Sequence, residues 1–207
     1  MNVLICIAAA IVIYLLGGIN PSIILSQKLY KTDIRFFGSH NPGFTNFLRN
    51  YGEKAWIVFA VDIAKGLLLS GLTALLFRHL FGLSHTGAAY ASFFAVVGHA
   101  FPVWYRFHGG KSVAVFAGAL WFIDWRAGIA AAVVLFALLA IKRYMSLAVI
   151  CAVTAFLIAL AIQDVESPWV LVLSFLSAAL IILRHRENIQ RLLSGTESRF
   201  SLHIRKQ

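Results

Sequence analysis

Residues 55–77 read AWIVFAVDIAKGLLLSGLTALLF. The run is apolar throughout except for Asp62 and Lys65. At 1.5 Å per residue it is long enough, as an α-helix, to cross a hydrocarbon core about 30 Å thick. Outward from it the pattern repeats. Apolar runs occupy 2–26, 88–105, 147–162 and 169–183, each near or at the roughly 20 residues that a span needs. A further apolar region is interrupted at Asp124-Trp125-Arg126 and reads as two short helices, 112–123 and 127–141. The expectation is an all-α, polytopic integral membrane protein with about seven transmembrane helices, some of them short. Composition agrees. The chain is 60% hydrophobic and 13% charged, with a mean hydropathy of +0.83, too apolar for a soluble globular domain. No polar stretch is long enough to fold separately, so residues 1–207 read as a single membrane-embedded domain.

Charge assigns the sides. If the seven helices alternate, one side receives Lys28, Lys31, Arg35, Arg49 and Lys54, then Arg106 and Lys111, then Lys142 and Arg143. The tail adds Arg184, Arg186, Arg191, Arg199, Arg205 and Lys206. That is fifteen of the eighteen Lys and Arg residues. Arg78 and Arg126 fall on the other side, and Lys65 lies within a helix. Positive charge marks the inner side of a membrane protein, so the N-terminus is expected outside and the C-terminus inside. The first basic residue, Lys28, follows the first apolar run, the reverse of a signal peptide, and the run is read as a retained span. A net charge of +10 suits anionic lipid heads and anionic substrates. Nucleic acid would need those bases on a soluble face with aromatics for stacking. Cys6 and Cys151 lie in apolar runs and form neither a metal pattern nor a disulfide framework.

Polar residues gather in three clusters, all on the inner side. The first is Gly38-Ser39-His40-Asn41-Pro42-Gly43-Phe44-Thr45-Asn46-Phe47-Leu48-Arg49. Glycines permit unusual backbone angles, and successive bare N–H groups form anion-binding concavities. Thr45 or Asn46 is placed to cap a following helix, which would set Arg49 in its first turn, able to grip a phosphate bidentately. An ordinary turn-rich loop is the plainer reading. The second cluster is Gly98-His99-Ala100-Phe101-Pro102 followed by Phe107-His108-Gly109-Gly110-Lys111-Ser112. Pro102 ends or bends a helix, Gly109 and Gly110 form a tight turn, and Ser112 is placed to cap the next helix. An anion fits at that helix N-terminus with Lys111 as counter-charge. The pattern is not a P-loop, because the first glycine would fall at Tyr105 and no strand precedes it. His99 reads as a ligand-binding group or, more simply, as a structural histidine beside the proline. The third cluster, Arg184-His185-Arg186-Glu187-Asn188 onward to Gly195-Thr196-Glu197, continues the last helix beyond the membrane, with Gly195 as its stop. His185 and Asn188 share one helix face and together can hold or deprotonate a hydroxyl. A basic helix lying on anionic lipid is the plainer reading. Asp62 and Lys65, three apart in an apolar helix, read as an inward ion pair supporting the site from behind.

These clusters, with Asp62-Ile63-Ala64-Lys65-Gly66 between the first and second, resemble the motifs of the PlsY family, the acyl-phosphate-dependent glycerol-3-phosphate acyltransferases. Order, spacing and span count match over nearly the whole chain. The resemblance implies one acyltransferase domain in a cytoplasmic (inner) membrane, with its site on the cytoplasmic side. It implies transfer of a fatty acyl group from acyl phosphate to the 1-hydroxyl of glycerol 3-phosphate, giving lysophosphatidate and phosphate, without metal or cofactor. On this reading Arg49 and Lys111 hold the two phosphates. Ser39 and Asn41, with Gly38, Gly43, Thr45, Asn46, His99, Gly109 and Gly110, shape the anion pocket. His185 and Asn188 orient the attacking hydroxyl, whose proton goes to His185 or to the donor's phosphate. Ser39 as an acylated nucleophile has no adjacent base in sequence. Two departures stand out: His40 and Ser112 occupy positions where the family usually has glycine. The rival reading is a transporter or channel for a small phosphorylated anion. It would want polar groups on several spans near the midplane and matching halves, neither of which the sequence has.

Overall fold

Gly17, Gly18 and Asn20 divide the first apolar run. In the computed structural model, which describes residues 2–201, α1 (Asn2–Gly17) stops there and α2 (Pro21–Tyr30) begins. The Asn20 side chain accepts from the Ile23 N–H, and Pro21 holds the first helical position, so the restart is a capped helix N-terminus. The single helix expected over 2–26 is therefore two. Next come α3 (Phe44–Tyr51), α4 (Ala55–Phe81), α5 (Ser84–Ala100), α6 (Val113–Ile123), α7 (Trp125–Lys142), α8 (Met145–Ala161), α9 (Pro168–Arg184) and α10 (Arg186–Leu193). The described residues contain no strand, so the all-α class holds, and each apolar run contains a helix. Arg205 and Lys206 lie outside the described residues.

Span lengths are uneven. Four segments, α1 with α2, α3 with α4, α5 with the turn after it, and α7, are each long and apolar enough to cross a membrane. The pair α9 and α10, bent by 56°, makes a fifth if taken together, while α6 and α8 are shorter apolar helices. The boundaries follow local chemistry. The helix expected over 88–105 stops at Ala100, because Pro102 cannot continue it, and 103–105 form one 3-10 turn. The Asp124 carboxylate accepts from the Ala127 N–H at 2.9 Å and caps α7 at the anticipated break. The last helix does not run straight beyond the membrane; it bends at His185.

α5 is the central element, packed against α1, α4, α6 and α9. Beside it Phe116 of α6 and Phe156 of α8 meet edge to face at 5.3 Å within a core that includes Val96, Leu160 and Ile181. The axes of α4 and α6 approach closely where each presents a glycine to the other's backbone. A Cβ on Gly66 would collide with the Val115 carbonyl, and one on Gly118 with that of Ile63. Such contacts are how helices associate in lipid, where burial of apolar surface supplies no driving force. Leu68, Leu72 and Leu75 of α4 and Val133 and Phe136 of α7 are all more than half exposed, an apolar exterior matched to hydrocarbon. This packing brings the loop before α3, the loop after α5 and the α9–α10 junction to one end of the bundle.

Candidate active site

The first loop is held by its own side chains. Arg35 pairs with Asp33 at 2.6 Å and donates to the Tyr105 carbonyl at 3.1 Å, which ties this loop to the second. Hydrogen bonding from Arg35 keeps the Asp33 carboxyl below its usual range, against the opposing effect of burial. Asn46, 1% exposed, is the hub. Its Oδ1 accepts from the Ser39 N–H at 3.0 Å and from Asn50 at 3.1 Å, and its Nδ2 donates to the carbonyls of Phe37 at 2.9 Å and Ile34 at 3.4 Å. Both amide hydrogens are used within the loop. Gly38 has φ +58, and a Cβ there would collide with Asn46 Oδ1, so only glycine fits. His40 has φ +57 and donates from Nδ1 to the Arg35 carbonyl at 2.9 Å.

α3 starts differently from the sequence expectation. Its cap is Gly43, with no side-chain cap bond. Thr45 and Asn46 lie inside the helix, and Arg49 falls in the last turn, not the first. The reason is Asn46: its side chain is committed to the loop and cannot cap. Ser39 and Arg49 are exposed, and Asn41, Gly43 and Thr45 are half-buried. Among the described residues Arg49 makes no hydrogen bond or ion pair.

The second loop folds back on α5. The N–H of Gly110 donates to the His99 carbonyl at 3.0 Å and that of Gly109 to Ala100 at 3.2 Å. The two N–H groups expected to cradle an anion are thus used internally. Their carbonyls accept from Arg184, Gly109 at 2.8 Å and Gly110 at 3.2 Å, with the guanidinium 5.4 Å from the Phe101 ring centre. Ser112 stands at the N-cap of α6 but does not cap it by side chain. Its φ is +63, and its hydroxyl donates to the Val96 carbonyl at 2.8 Å. His40 and Ser112, where the resemblance leads one to expect glycine, both sit in the left-handed region that glycine adopts at least cost, and each carries a side-chain hydrogen bond.

At the third cluster a chain of polar contacts converges on Lys111. Its ammonium donates to Asn188 Oδ1, and Asn188 Nδ2 donates to Glu197 at 2.7 Å. Glu197 also accepts from Ser146 and from Arg191, both at 2.7 Å. The carboxylate fixes which end of the Asn188 amide faces Lys111. Burial pushes the Lys111 ammonium down to about 8. Glu197 is raised by burial, but its hydrogen bonds outweigh this and hold it below the usual carboxylate value. His185, at the bend, donates from Nδ1 to the Ile181 carbonyl at 2.8 Å, which leaves Nε2 with an open lone pair.

Behind these loops Lys65 contacts Asp62 at 2.7 Å, the Ile19 carbonyl at 2.7 Å and His99 Nδ1 at 2.9 Å. The Asp62 contact is a charge pair without hydrogen-bond alignment. Three contributors were not among the candidates read from sequence: Arg184, Ser146 and Glu197. Arg184 adjoins His185, and Glu197 closes the third cluster; Ser146 carries no sequence signal. No three His, Cys, Asp or Glu side chains among the described residues stand together as a metal site would require. A cavity of about 350 Å³ lies at the far end of the bundle, lined by His85, Asp124, Arg126, Asp164 and Glu166, and shares no residue with these loops.

The arrangement has relatives. The profile of the family described as glycerol-3-phosphate acyltransferase matches residues 7–195. A protein of that name from Thermoanaerobacter pseudethanolicus is 38% identical over 93% of this chain and 94% of its own length. One from Paraburkholderia phymatum is 40% identical over 92% of this chain and 90% of its own. The crystal structure of PlsY, an integral membrane glycerol 3-phosphate acyltransferase, in its glycerol 3-phosphate form superposes with a TM-score of 0.85 at 35% identity. It covers 95% of this chain and 96% of that one. The lysophosphatidic acid form gives 0.81 at 33% identity, with the same coverage.

Proposed function

Because the chain belongs to the glycerol-3-phosphate acyltransferase family, we propose that it transfers a fatty acyl group from acyl phosphate to the 1-hydroxyl of glycerol 3-phosphate, yielding lysophosphatidic acid and inorganic phosphate. The observation that carries this reading is the Lys111–Asn188–Glu197 chain, set against the Gly109-Gly110 turn and next to His185. It offers a partly desolvated cation, an amide of fixed orientation and a neutral imidazole acceptor at one end of the bundle.

The chemistry asks little more. Acyl phosphate is a mixed anhydride and already activated, so positioning and charge stabilisation suffice. The hydroxyl oxygen bonds to the acyl carbon, the bond from that carbon to the phosphate oxygen breaks, and phosphate leaves with the electron pair. His185 Nε2 accepts the hydroxyl's hydrogen bond, and the proton leaves through it or with the phosphate. Lys111 and Arg49, which has no partner among the described residues, supply positive charge for the two phosphates. Ser39 and Asn41 complete the pocket on the side of the first loop, which Gly38, Gly43, Thr45 and Asn46 shape, while His99, Gly109 and Gly110 form the opposite wall. The site faces the cytoplasm in an inner membrane, where a lipid donor and a soluble anion meet, and the whole chain forms one acyltransferase domain.

The test is direct. Purified protein with acyl phosphate and labelled glycerol 3-phosphate should form labelled lysophosphatidate in the presence of a chelator. No product would reject the activity; equal turnover with acyl-CoA would reject the donor.

A further inference from the structure

His99 is 3% exposed and yet has a charged neighbour on one edge and the Gly109-Gly110 turn on the other. Its Nδ1 lies 2.9 Å from the Lys65 ammonium and 3.6 Å from Asp62 Oδ1. Only the first is hydrogen-bond distance. An ammonium has three donors and no acceptor, so Nδ1 must accept, and a proton there would point into a cation. The imidazole is then neutral with its proton on Nε2. Lys65 cannot swing aside, because it is also held by the Ile19 carbonyl at 2.7 Å and by Asp62 at 2.7 Å. The Nε2 edge faces the bare Cα of Gly110. A Cβ on Gly110 would collide with Nε2 and stand 3.1 Å from the Pro42 carbonyl oxygen of the first loop. Nε2 therefore lies where the first and second loops meet, and it makes no hydrogen bond among the described residues.

We propose that Lys65, anchored by Asp62, is a positioning residue that fixes His99 as the Nε2–H tautomer, and that this N–H is a neutral donor to an anionic oxygen in the acyl-transfer site. The role deepens the reading above and rests on it. A donor of this kind is preorganised, since its tautomer is set by a contact outside the site and not by the ligand. The oxygen belongs either to a phosphate of one of the substrates or to the oxyanion that forms on the acyl carbon.

Nitrogen-15 spectra of the full chain in detergent, labelled in histidine and assigned against His99→Gln, test the tautomer. Wild type should carry the His99 proton on Nε2, and Lys65→Met should move it to Nδ1 or mix the two. A wild-type proton on Nδ1 overturns the proposal, and this measurement stands even where Lys65→Met does not fold. Kinetics supply the second test. The amide nitrogen of Gln occupies roughly the place of Nε2, whereas Asn reaches only the place of Nδ1. His99→Gln should keep kcat/KM within about threefold, while His99→Asn should lose about tenfold to a hundredfold. Equal losses overturn the proposal. A rise in the KM for one substrate assigns the oxygen to that substrate's phosphate, and a fall in kcat alone assigns it to the oxyanion. The two readings fail separately. An active enzyme with the proton on Nδ1 removes this inference only. A Nε2-protonated His99 in a protein that makes no lysophosphatidate removes the function.

Discussion

Lys111 sits between two opposing effects. Burial favours its neutral form and, with the nearby Arg191 charge, pushes it down to about 8, while the negative charge of Glu197 favours the cation. If the cation binds a phosphate, activity requires the proton. Raising the pH through about 8 removes it, so kcat/KM should fall along a limb near that value. Bound phosphate favours the ammonium, so the kcat limb should lie at higher pH than the kcat/KM limb. Lys111→Arg should carry the limb upward, because guanidinium does not titrate there; an unmoved limb in that variant would assign it to another group. Arg49 gives the complementary case. It has no partner to lose among the described residues, so Arg49→Ala should lower kcat/KM for glycerol 3-phosphate about tenfold to a hundredfold with an unchanged Tm. Arg78→Ala, exposed at the far end, is the control. Wild-type kinetics in Arg49→Ala would remove it from the site. At this scale the sequence reveals which residue types gather, but not what they spend their hydrogen bonds on. Asn46 reads as a ligand group, yet both its amide hydrogens serve the loop. Glu197 gains its role from Ser146, 51 residues away, and no local pattern announces such a contact.

Helix boundaries divide in the same way. Asp124 and Pro102 mark their breaks openly, because a cap and a missing N–H act locally. The break at Gly17–Asn20 is also local, with Asn20 as cap and Pro21 at the first helical position, although it falls inside a continuous apolar run. The bend at His185 falls inside a continuous helical pattern and depends on a partner elsewhere, because α10 is tied down through Glu197. That tie carries a prediction. Glu197 joins α8, through Ser146, to Asn188 and Arg191 of α10. Glu197→Gln removes the charge that orders all three donors, so α10 amides should exchange faster and kcat should fall, with α4 and α5 unaffected. The pH sign follows from the lowered carboxyl. Its stabilisation is complete above the ordinary value of 4.5 and is lost as pH falls through the lower folded value. Protection of α10 that is unchanged in Glu197→Gln would remove the tie.

For the molecule as a whole, the unsettled element is α6. Its 11 residues reach about 16 Å at 1.5 Å per residue, about half of a hydrocarbon core. Composition identifies α6 as apolar but cannot say whether it crosses. Two arrangements put the termini on opposite sides. In one, all seven apolar segments cross and Trp125 is outside. In the other, α6 and α7 enter and return as a hairpin, five segments cross and Trp125 lies at the hairpin's tip within the membrane. The charge asymmetry of the large loops is the same in both, so it does not choose. Arg126 does not choose either, since Asp124 neutralises it at 3.0 Å. Length weighs against the hairpin: α7 has 18 residues and is long enough to cross by itself, and a hairpin would leave Trp125 at depth beside an ion pair. If α6 crosses, its short length is met by local thinning or by sinking its ends. Sunken ends would set Gly109, Gly110 and Lys111, which precede α6, below the membrane surface. Trp125 is 60% exposed, so Trp125→Cys in a chain lacking Cys6 and Cys151 should react with an impermeant maleimide in intact cells. Asp164→Cys should react likewise, and Ser194→Cys should react only after permeabilisation. A Trp125→Cys that reacts from neither side, while Asp164→Cys reacts from outside, would establish the hairpin and remove the argument that the ends of α6 are sunken.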